Sequence, residues 1–266
     1  RLCLAPQQGG AIDELLEMVA TRSDIEPLQA ALVYRSAARL ATVSGEHERA
    51  VLQMERALEL RRSIYSESSA VVGEALEDLG ETLHAAGQDA RALALLEEAR
   101  GILAGALAAN PNHGLCGTNH SYRSRVLEAL GRYDEAESVA REALLVYAGQ
   151  VEYADRYGVM LHTLGRLVLT QGRYEEAEQI FLERESLFAD RPTLEIPGYG
   201  LSLAHRGQAR WMLGDRPAAL ELFREAMAGE LEASSGDWRT RALEIARFAS
   251  RQGAVQLVEP ALAPAL

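Results

Sequence analysis

The sequence contains no lysine. Its 27 basic residues are all arginine, and 39 acidic residues outnumber them to give a formal net charge of −12 at neutral pH. That balance argues against a general nucleic-acid binder, whose affinity comes mostly from neutralising phosphates. Codon bias in a GC-rich bacterial genome accounts for the all-arginine choice without a functional cause. Cysteine is scarce too: Cys3 and Cys116 make no disulfide framework and fit a reducing compartment. No apolar run reaches the ~18–20 residues of a membrane span, so no direct membrane insertion is expected. The sequence begins at Arg1, with no initiator methionine and no signal-peptide core. The expectation is a segment of a longer chain, cytoplasmic, or periplasmic if a membrane span lies upstream.

Catalytic motifs are missing as well. There is no Gly-rich phosphate loop, no G-x-S-x-G, no C-x-x-C and no H-E-x-x-H. Carboxylates are plentiful, but their spacing from arginines reads as solvated helix faces with i,i+4 pairs. A segment without enzymatic activity and without a cofactor is expected.

Alanine, leucine, glutamate and arginine dominate, a composition that favours helices, and they recur with a period. A glycine is followed five residues later by an alanine and four later by an apolar residue. The pattern appears as Gly45–Ala50–Met54, Gly87–Ala92–Leu96, Gly131–Ala136–Ala140, Gly172–Ala177–Phe181 and Gly214–Ala219–Phe223. The alanines are therefore spaced by 42, 44, 41 and 42 residues. Before each glycine runs a helical stripe such as Leu76, Leu79, Leu83, and after it a second one such as Ala92, Leu95, Leu96, Ala99. The glycine ends the first helix by tolerating a left-handed turn. The unit is a helical hairpin, which cannot bury its apolar face alone, so the copies must stack.

Leu76, Leu79-Gly80, Leu83, Ala92, Leu96 and Ala99 resemble the signature of the tetratricopeptide repeat (TPR) family. Leu161, Leu164-Gly165, Val168, Ala177 and Phe181 match it again, as do Leu203, Gly207, Ala219, Phe223 and Ala226, and Tyr34, Ala38, Ala50, Met54 and Ala57. The resemblance spans roughly residues 26–252. The period near 42 is longer than the usual 34 and is similar to the long repeats of kinesin light chains and bacterial signalling proteins. Two departures stand out. Arg184 replaces the second small alanine in copy four, and Arg123-Ser124 replaces Leu-Gly in copy three. The resemblance implies an all-α, right-handed superhelical solenoid of stacked antiparallel hairpins. Its expected parts are a capping helix over 1–25, in which 11–22 is amphipathic, five hairpins over 26–236 and a capping hairpin over 237–266, in one continuous array.

The resemblance also implies binding of a peptide or partner segment in a groove lined by the first helices. Helix geometry places Arg35, Arg39 and Thr42; Glu77, Glu81 and His84; Ser121, Arg125 and Glu128; His162, Arg166 and Leu169; and Ala204, Gln208 and Trp211 on that stripe. Arg35, Arg39, Arg125 and Arg166 suit the carboxylates of an acidic peptide. The competing reading has them pair with Glu77, Glu81 and Glu128 and hold the stack. Trp211 and Trp238 read either as groove anchors or as core. His113, Cys116 and His120 are zinc-ligand types within eight residues. No fourth ligand is near, so the adopted reading is an interhelical loop without metal. The functional expectation is a protein-interaction module, the regulatory or sensor region of a bacterial signalling protein with a serine/threonine kinase or a STAND-type ATPase. The alternative is a small-molecule sensor whose closed pocket uses His162, Arg166 and Trp211.

Overall fold

The computed structural model describes residues 6–21, 25–191, 196, 198–228 and 238–253. Those residues form twelve α-helices and one 3-10 turn, with no strand among them. The helices are α1 (Pro6–Thr21), α2 (Pro27–Ser44), α3 (His47–Ile64), α4 (Ala70–Ala85), α5 (Asp89–Ala106) and α6 (Gly114–Ala129). They continue as α7 (Tyr133–Tyr147), α8 (Ala154–Thr170), α9 (Tyr174–Leu187), α10 (Tyr199–Met212), α11 (Arg216–Ala228) and α12 (Trp238–Arg251), with the 3-10 turn at Val151–Tyr153. The five periodic copies are α2/α3, α4/α5, α6/α7, α8/α9 and α10/α11.

The periodic glycines all perform one task. Gly45, Gly87, Gly131, Gly172 and Gly214 have φ between 72° and 90°. Each donates its N–H to the carbonyl three residues back, and the next residue donates to the carbonyl five back, as in Gly87 to His84 and Gln88 to Leu83. This is the Schellman closure, which satisfies the open carbonyls of the first helix and reverses the chain. The alanine five residues on is at most 1% exposed in every copy, and it lets the second helix settle closely against the first.

A size rule runs across each hairpin. The first-helix residues Ala38, Gly80, Ser124, Gly165 and Gly207 occupy one repeat position, with Met54, Leu96, Ala140, Phe181 and Phe223 at the matching place on the second helix. A Cβ on Gly80 would sit 2.8 Å from Leu96, one on Gly165 2.7 Å from Phe181, and one on Gly207 2.5 Å from Phe223. The missing Cβ is what admits the large partner. Copy three solves the same problem in reverse. Its partner is the small Ala140, so Ser124 fits, fully buried, and its hydroxyl donates to the Ala136 carbonyl at 2.9 Å. The replacement of Leu-Gly by Arg123-Ser124 thus keeps the contact.

Arg184 is also accommodated. Its side chain is buried, Nε donates to the Gly158 carbonyl at 3.0 Å, and the guanidinium lies 5.6 Å from the Phe188 ring centre. Any Cβ on Gly158 would collide with that ring. Burial pulls the Arg184 pKa down, with Glu185 and Tyr199 acting against it.

The chain forms two compact units, 1–146 and 147–266. In the first, α1 packs on α2, the hairpins follow in order, and the first helices α2, α4 and α6 are neighbours. A core of Met54, Val72, Leu76, Leu79, Leu83 and Leu96 runs through it. In the second, α8, α10 and α12 are successive neighbours, with α9 and α11 packed behind. Its C-terminal core gathers Leu203, Trp211, Phe223, Met227, Ile245 and Phe248. Each fully buried large side chain of this kind contributes roughly 1.5–3 kcal/mol. Helix α1 begins at Pro6, earlier than the amphipathic 11–22 segment, since proline is tolerated in a first turn. Helix α12 lies where a sixth hairpin was expected to begin. Its second half and Cys3 lie outside the described residues.

Candidate ligand site

In the first unit the predicted stripe is mostly paired within the protein. Arg35 meets Asp78 (2.7 Å) and Glu74 (3.0 Å), and Arg39 reaches Asp78 at 3.4 Å. Arg61, buried on α3, adds a contact of 3.6 Å to Glu74. The partners of Arg35 and Arg39 are therefore Glu74 and Asp78, one turn from the expected Glu77 and Glu81. Further along, Arg125 lies 3.5 Å from Glu81, as the stack-holding reading had it. His84 Nδ1 is 2.6 Å from Asp89, Ser121 donates to the Gly117 carbonyl, and Thr42 donates to that of Ala38. Glu77 is almost wholly buried, close enough to Cys116 and Tyr122 of α6 for its charge to act on both. Glu128 sits half-buried near the end of α6.

The second unit is different. A cavity of about 570 Å³ opens against α8, α10 and α12. From α8 it is lined by Arg166, Leu169 and Thr170; from α10 by Leu201, His205, Gln208 and Met212; and from α12 by Glu244, Phe248 and Arg251. His205 and Gln208 are 6% and 8% exposed. Neither His205 Nδ1 nor Gln208 Nε2 has a hydrogen-bond partner in the protein. Leaving such an atom unpaired costs about 1–3 kcal/mol, so both are candidates for contact with something else.

The His205 ring stands 5.2 Å from that of His162 and stacks on Phe181 at 6.2 Å. Burial, with Arg166 nearby, pulls the His205 pKa down to about 3. Burial also takes His162 well below its ordinary value, helped by His205, Arg184 and Arg166. Both rings are neutral near pH 7, so the formal charges lining the cavity are Arg166, Arg251 and Glu244.

The lining of this cavity differs in part from the stripe that sequence spacing picks out. It chose Ala204, Gln208 and Trp211 on α10, whereas Leu201, His205, Gln208 and Met212 face the cavity. The face is turned by about one residue, some 100° of helix. Ala204 is buried, and Trp211 packs edge-on against Phe248 at 6.2 Å with Arg216 over its ring. Trp211 is therefore core. Of the residues expected to form a closed pocket, His162, Arg166 and Trp211, only Arg166 lines this cavity. The side chain of Trp238 lies outside the described residues.

The three zinc-ligand types are not brought together. His113 caps α6, its Nδ1 accepting from the Leu115 N–H at 3.2 Å. Cys116 and His120 line a second cavity of about 440 Å³ with Arg123, Asn119 and Glu142. Burial and the charge of Glu77 raise the Cys116 thiol pKa. Burial lowers that of His120, although Glu142 lies 3.3 Å away. Among the described residues no three histidine, cysteine or acidic side chains converge as metal ligands.

The matching of copies three and four can now be set against known proteins. Residues 116–189 match the family model described as tetratricopeptide repeat. Residues 116–189 thus carry the tetratricopeptide repeat. TPR-like solved structures agree over most of the chain. A kinesin light chain repeat protein of Podosopora anserina, 19% identical, covers 78% of this chain and 98% of its own at a TM-score of 0.66. The apo form of RapI, 15% identical, covers 95% of this chain and 86% of its own at 0.72. Aspartyl phosphate phosphatase F from Bacillus subtilis, 17% identical, covers 95% of this chain and 64% of its own at 0.71. At such identities the likeness concerns the TPR fold alone. No curated protein matches the sequence. No described helix is long and apolar enough to cross a membrane.

Proposed function

We propose that the protein is a non-enzymatic interaction module that binds a peptide or partner segment, and that the second unit holds the binding site. The TPR fold is generally a scaffold for such contacts rather than a catalyst. The observation that carries the reading is the cavity of α8, α10 and α12, where the buried polar side chains of His205 and Gln208 lie unpaired beside the apolar Leu169, Leu201 and Met212. Ligand sites combine an apolar lining with a few convergent polar groups. The parent in this reading is a bacterial cytoplasmic signalling protein, with a serine/threonine kinase or STAND-type ATPase elsewhere in its chain. Arg35, Arg39 and Arg125 serve the stack, and Arg166 and Gln208 serve the ligand.

Fluorescein-labelled pools of random octapeptides test the reading by anisotropy. At least one pool should give saturable binding that Leu201→Glu abolishes. The volume of about 570 Å³ falls within the range of small-molecule pockets, which supports the alternative of a sensor. A metabolite set that raises the tryptophan-monitored melting midpoint, with no peptide pool binding, would favour that alternative.

A further inference from the structure

Apart from the peptide site of the second unit, we infer that the first unit's own cavity, between α5 and α6, binds a small uncharged molecule that presents one N–H or O–H donor on an apolar body. Its volume of about 440 Å³ lies within the range of small-molecule pockets. Cys116, Asn119, His120 and Arg123 line it at helical spacing along one face of α6. That face is not the stripe of Ser121, Arg125 and Glu128. The other walls come from α5 and its C-terminal turn, from Pro111, and from Glu142 of α7.

Asn119 sets the hydrogen-bond sense. It is 1% exposed, and its Nδ2 donates to the Leu96 carbonyl at 3.0 Å. Turning the amide over would set oxygen against oxygen, so that bond fixes its orientation. Oδ1 is left as a buried acceptor without a partner in the protein. The ligand therefore supplies the donor.

The charged groups of the wall are engaged with one another. Glu97 accepts from Arg100 at 2.9 Å and from Arg123 at 2.8 Å, and Glu142 lies 3.3 Å from His120 Nδ1. Two arginines and two carboxylates cancel, and burial favours the neutral form of His120. The wall thus has no net formal charge with which to select an anion or a cation. Burial and the charge of Glu77 keep Cys116 a protonated thiol, a small soft group beside the apolar Leu103, Ala104, Leu107 and Pro111.

A water on Oδ1 would satisfy the same atom, and three matched pairs of probes distinguish it from a ligand site. The pairs are indole and 1-methylindole, phenol and anisole, and ε-caprolactam and N-methylcaprolactam, each differing in its donor. In a Cys3→Ser protein Cys116 is the one cysteine, and its rate of reaction with a disulfide reagent reports occupancy of this cavity. At least one donor should slow that reaction saturably, and its methylated partner should need at least tenfold higher concentration. Asn119→Leu should erase that discrimination. Ala104 is exposed on the wall, so Ala104→Phe should fold and lose binding of the donor by saturation-transfer NMR. Leu201→Glu in the second unit should change nothing. Equal protection within every pair would overturn the donor assignment, and no protection by any probe would leave the cavity to water and overturn the site. Binding that survives Ala104→Phe would overturn it as well. Tryptamine or indole-3-acetate protecting at lower concentration than indole would overturn the uncharged class.

Discussion

Two regions answer the same structural question differently. One position of the first helix is Ser36, Asp78, Tyr122, Thr163 and His205 in the five copies. Ser36 and Thr163 donate to the carbonyls of Leu32 and Val159, Asp78 holds Arg35 and Arg39, and Tyr122 is hydrogen-bonded to Glu81. Only in the fifth copy does the position carry a buried side chain, that of His205, with a ring nitrogen unpaired by the protein. Three residues on, Arg39 and Glu81 are paired within the first unit, while Gln208 has an unpaired amide nitrogen. Most of the first unit's inner polar groups serve its own cohesion. In the second unit His162, Ser202, His205 and Gln208 each keep a polar atom without a hydrogen-bond partner, and the cavity lies against His205 and Gln208. The proposed binding site lies where the repeat pairs least with itself.

Four measurements sharpen or break that contrast, and the tryptophans make them separable. Both tryptophans of the chain, Trp211 and Trp238, belong to the second unit, so indole fluorescence reports on that unit alone. The largest effect is expected for Gly207→Leu. Its Cβ would stand 2.5 Å from Phe223, and overpacking of this kind costs about 3 kcal/mol at the upper end of the usual range. The fluorescence transition in urea should move to lower denaturant, with a separate circular-dichroism transition surviving from the first unit. An unmoved fluorescence midpoint would mean that the close approach is not where the size rule puts it.

Asp78→Ala should come next. Breaking a buried ion pair costs about 3–5 kcal/mol, and water reaching Arg39 lowers the expectation to about 2–3 kcal/mol. The loss should appear in circular dichroism and not in tryptophan fluorescence. A shift in the fluorescence transition instead would show that Asp78 supports the second unit.

Acid should act on the second unit. His205 takes up its proton near pH 3 in the fold but near 6.5 when unfolded. Below pH 6.5 the unfolded chain therefore binds the proton first, and stability falls progressively until about pH 3. The slope is about 1.4 kcal/mol per pH unit, so roughly 2 kcal/mol is lost by pH 5. His162 acts in the same direction, and protonation of either ring is opposed by Arg166. Urea midpoints by fluorescence at pH 7 and pH 5 check this, and His205→Phe should reduce the difference, leaving the share of His162. The smallest effect belongs to the exposed pair of Arg62 and Glu98 at 2.8 Å. Arg62→Ala should cost no more than about 0.5 kcal/mol and leave both transitions almost in place.

The fold was largely legible because its constraints are local. A glycine that must adopt positive φ and an alanine that must be small repeat every 42 residues or so, and each is visible without knowing the packing. Ser124 and Arg184 read as defects because their compensations, Ala140 and Gly158, lie on the other helix of the hairpin. The site was half legible. Gln208, Arg166 and Leu169 follow from helix spacing, whereas His205 was hidden by a rotation of about one residue that depends on how α12 packs against α10. The ion-pair partners Glu74 and Asp78 were missed for a related reason: the spacing sets a stripe on one helix but not the stagger between helices. Trp211 illustrates the limit, since a tryptophan at helical spacing serves equally as an anchor or as core until Phe248 is placed beside it.

The most direct test compares two double variants against one labelled octapeptide pool. Arg166→Gln with Gln208→Leu removes the polar side of the cavity; Arg35→Gln with Arg39→Gln removes the first unit's paired stripe. The account predicts that the first double variant loses at least tenfold in affinity, about 1.4 kcal/mol or more, with an unchanged fluorescence melting midpoint. The second should bind normally while its circular-dichroism transition weakens. Undiminished affinity in the first double variant, together with lost affinity in the second, would contradict the account and place the ligand on the first unit.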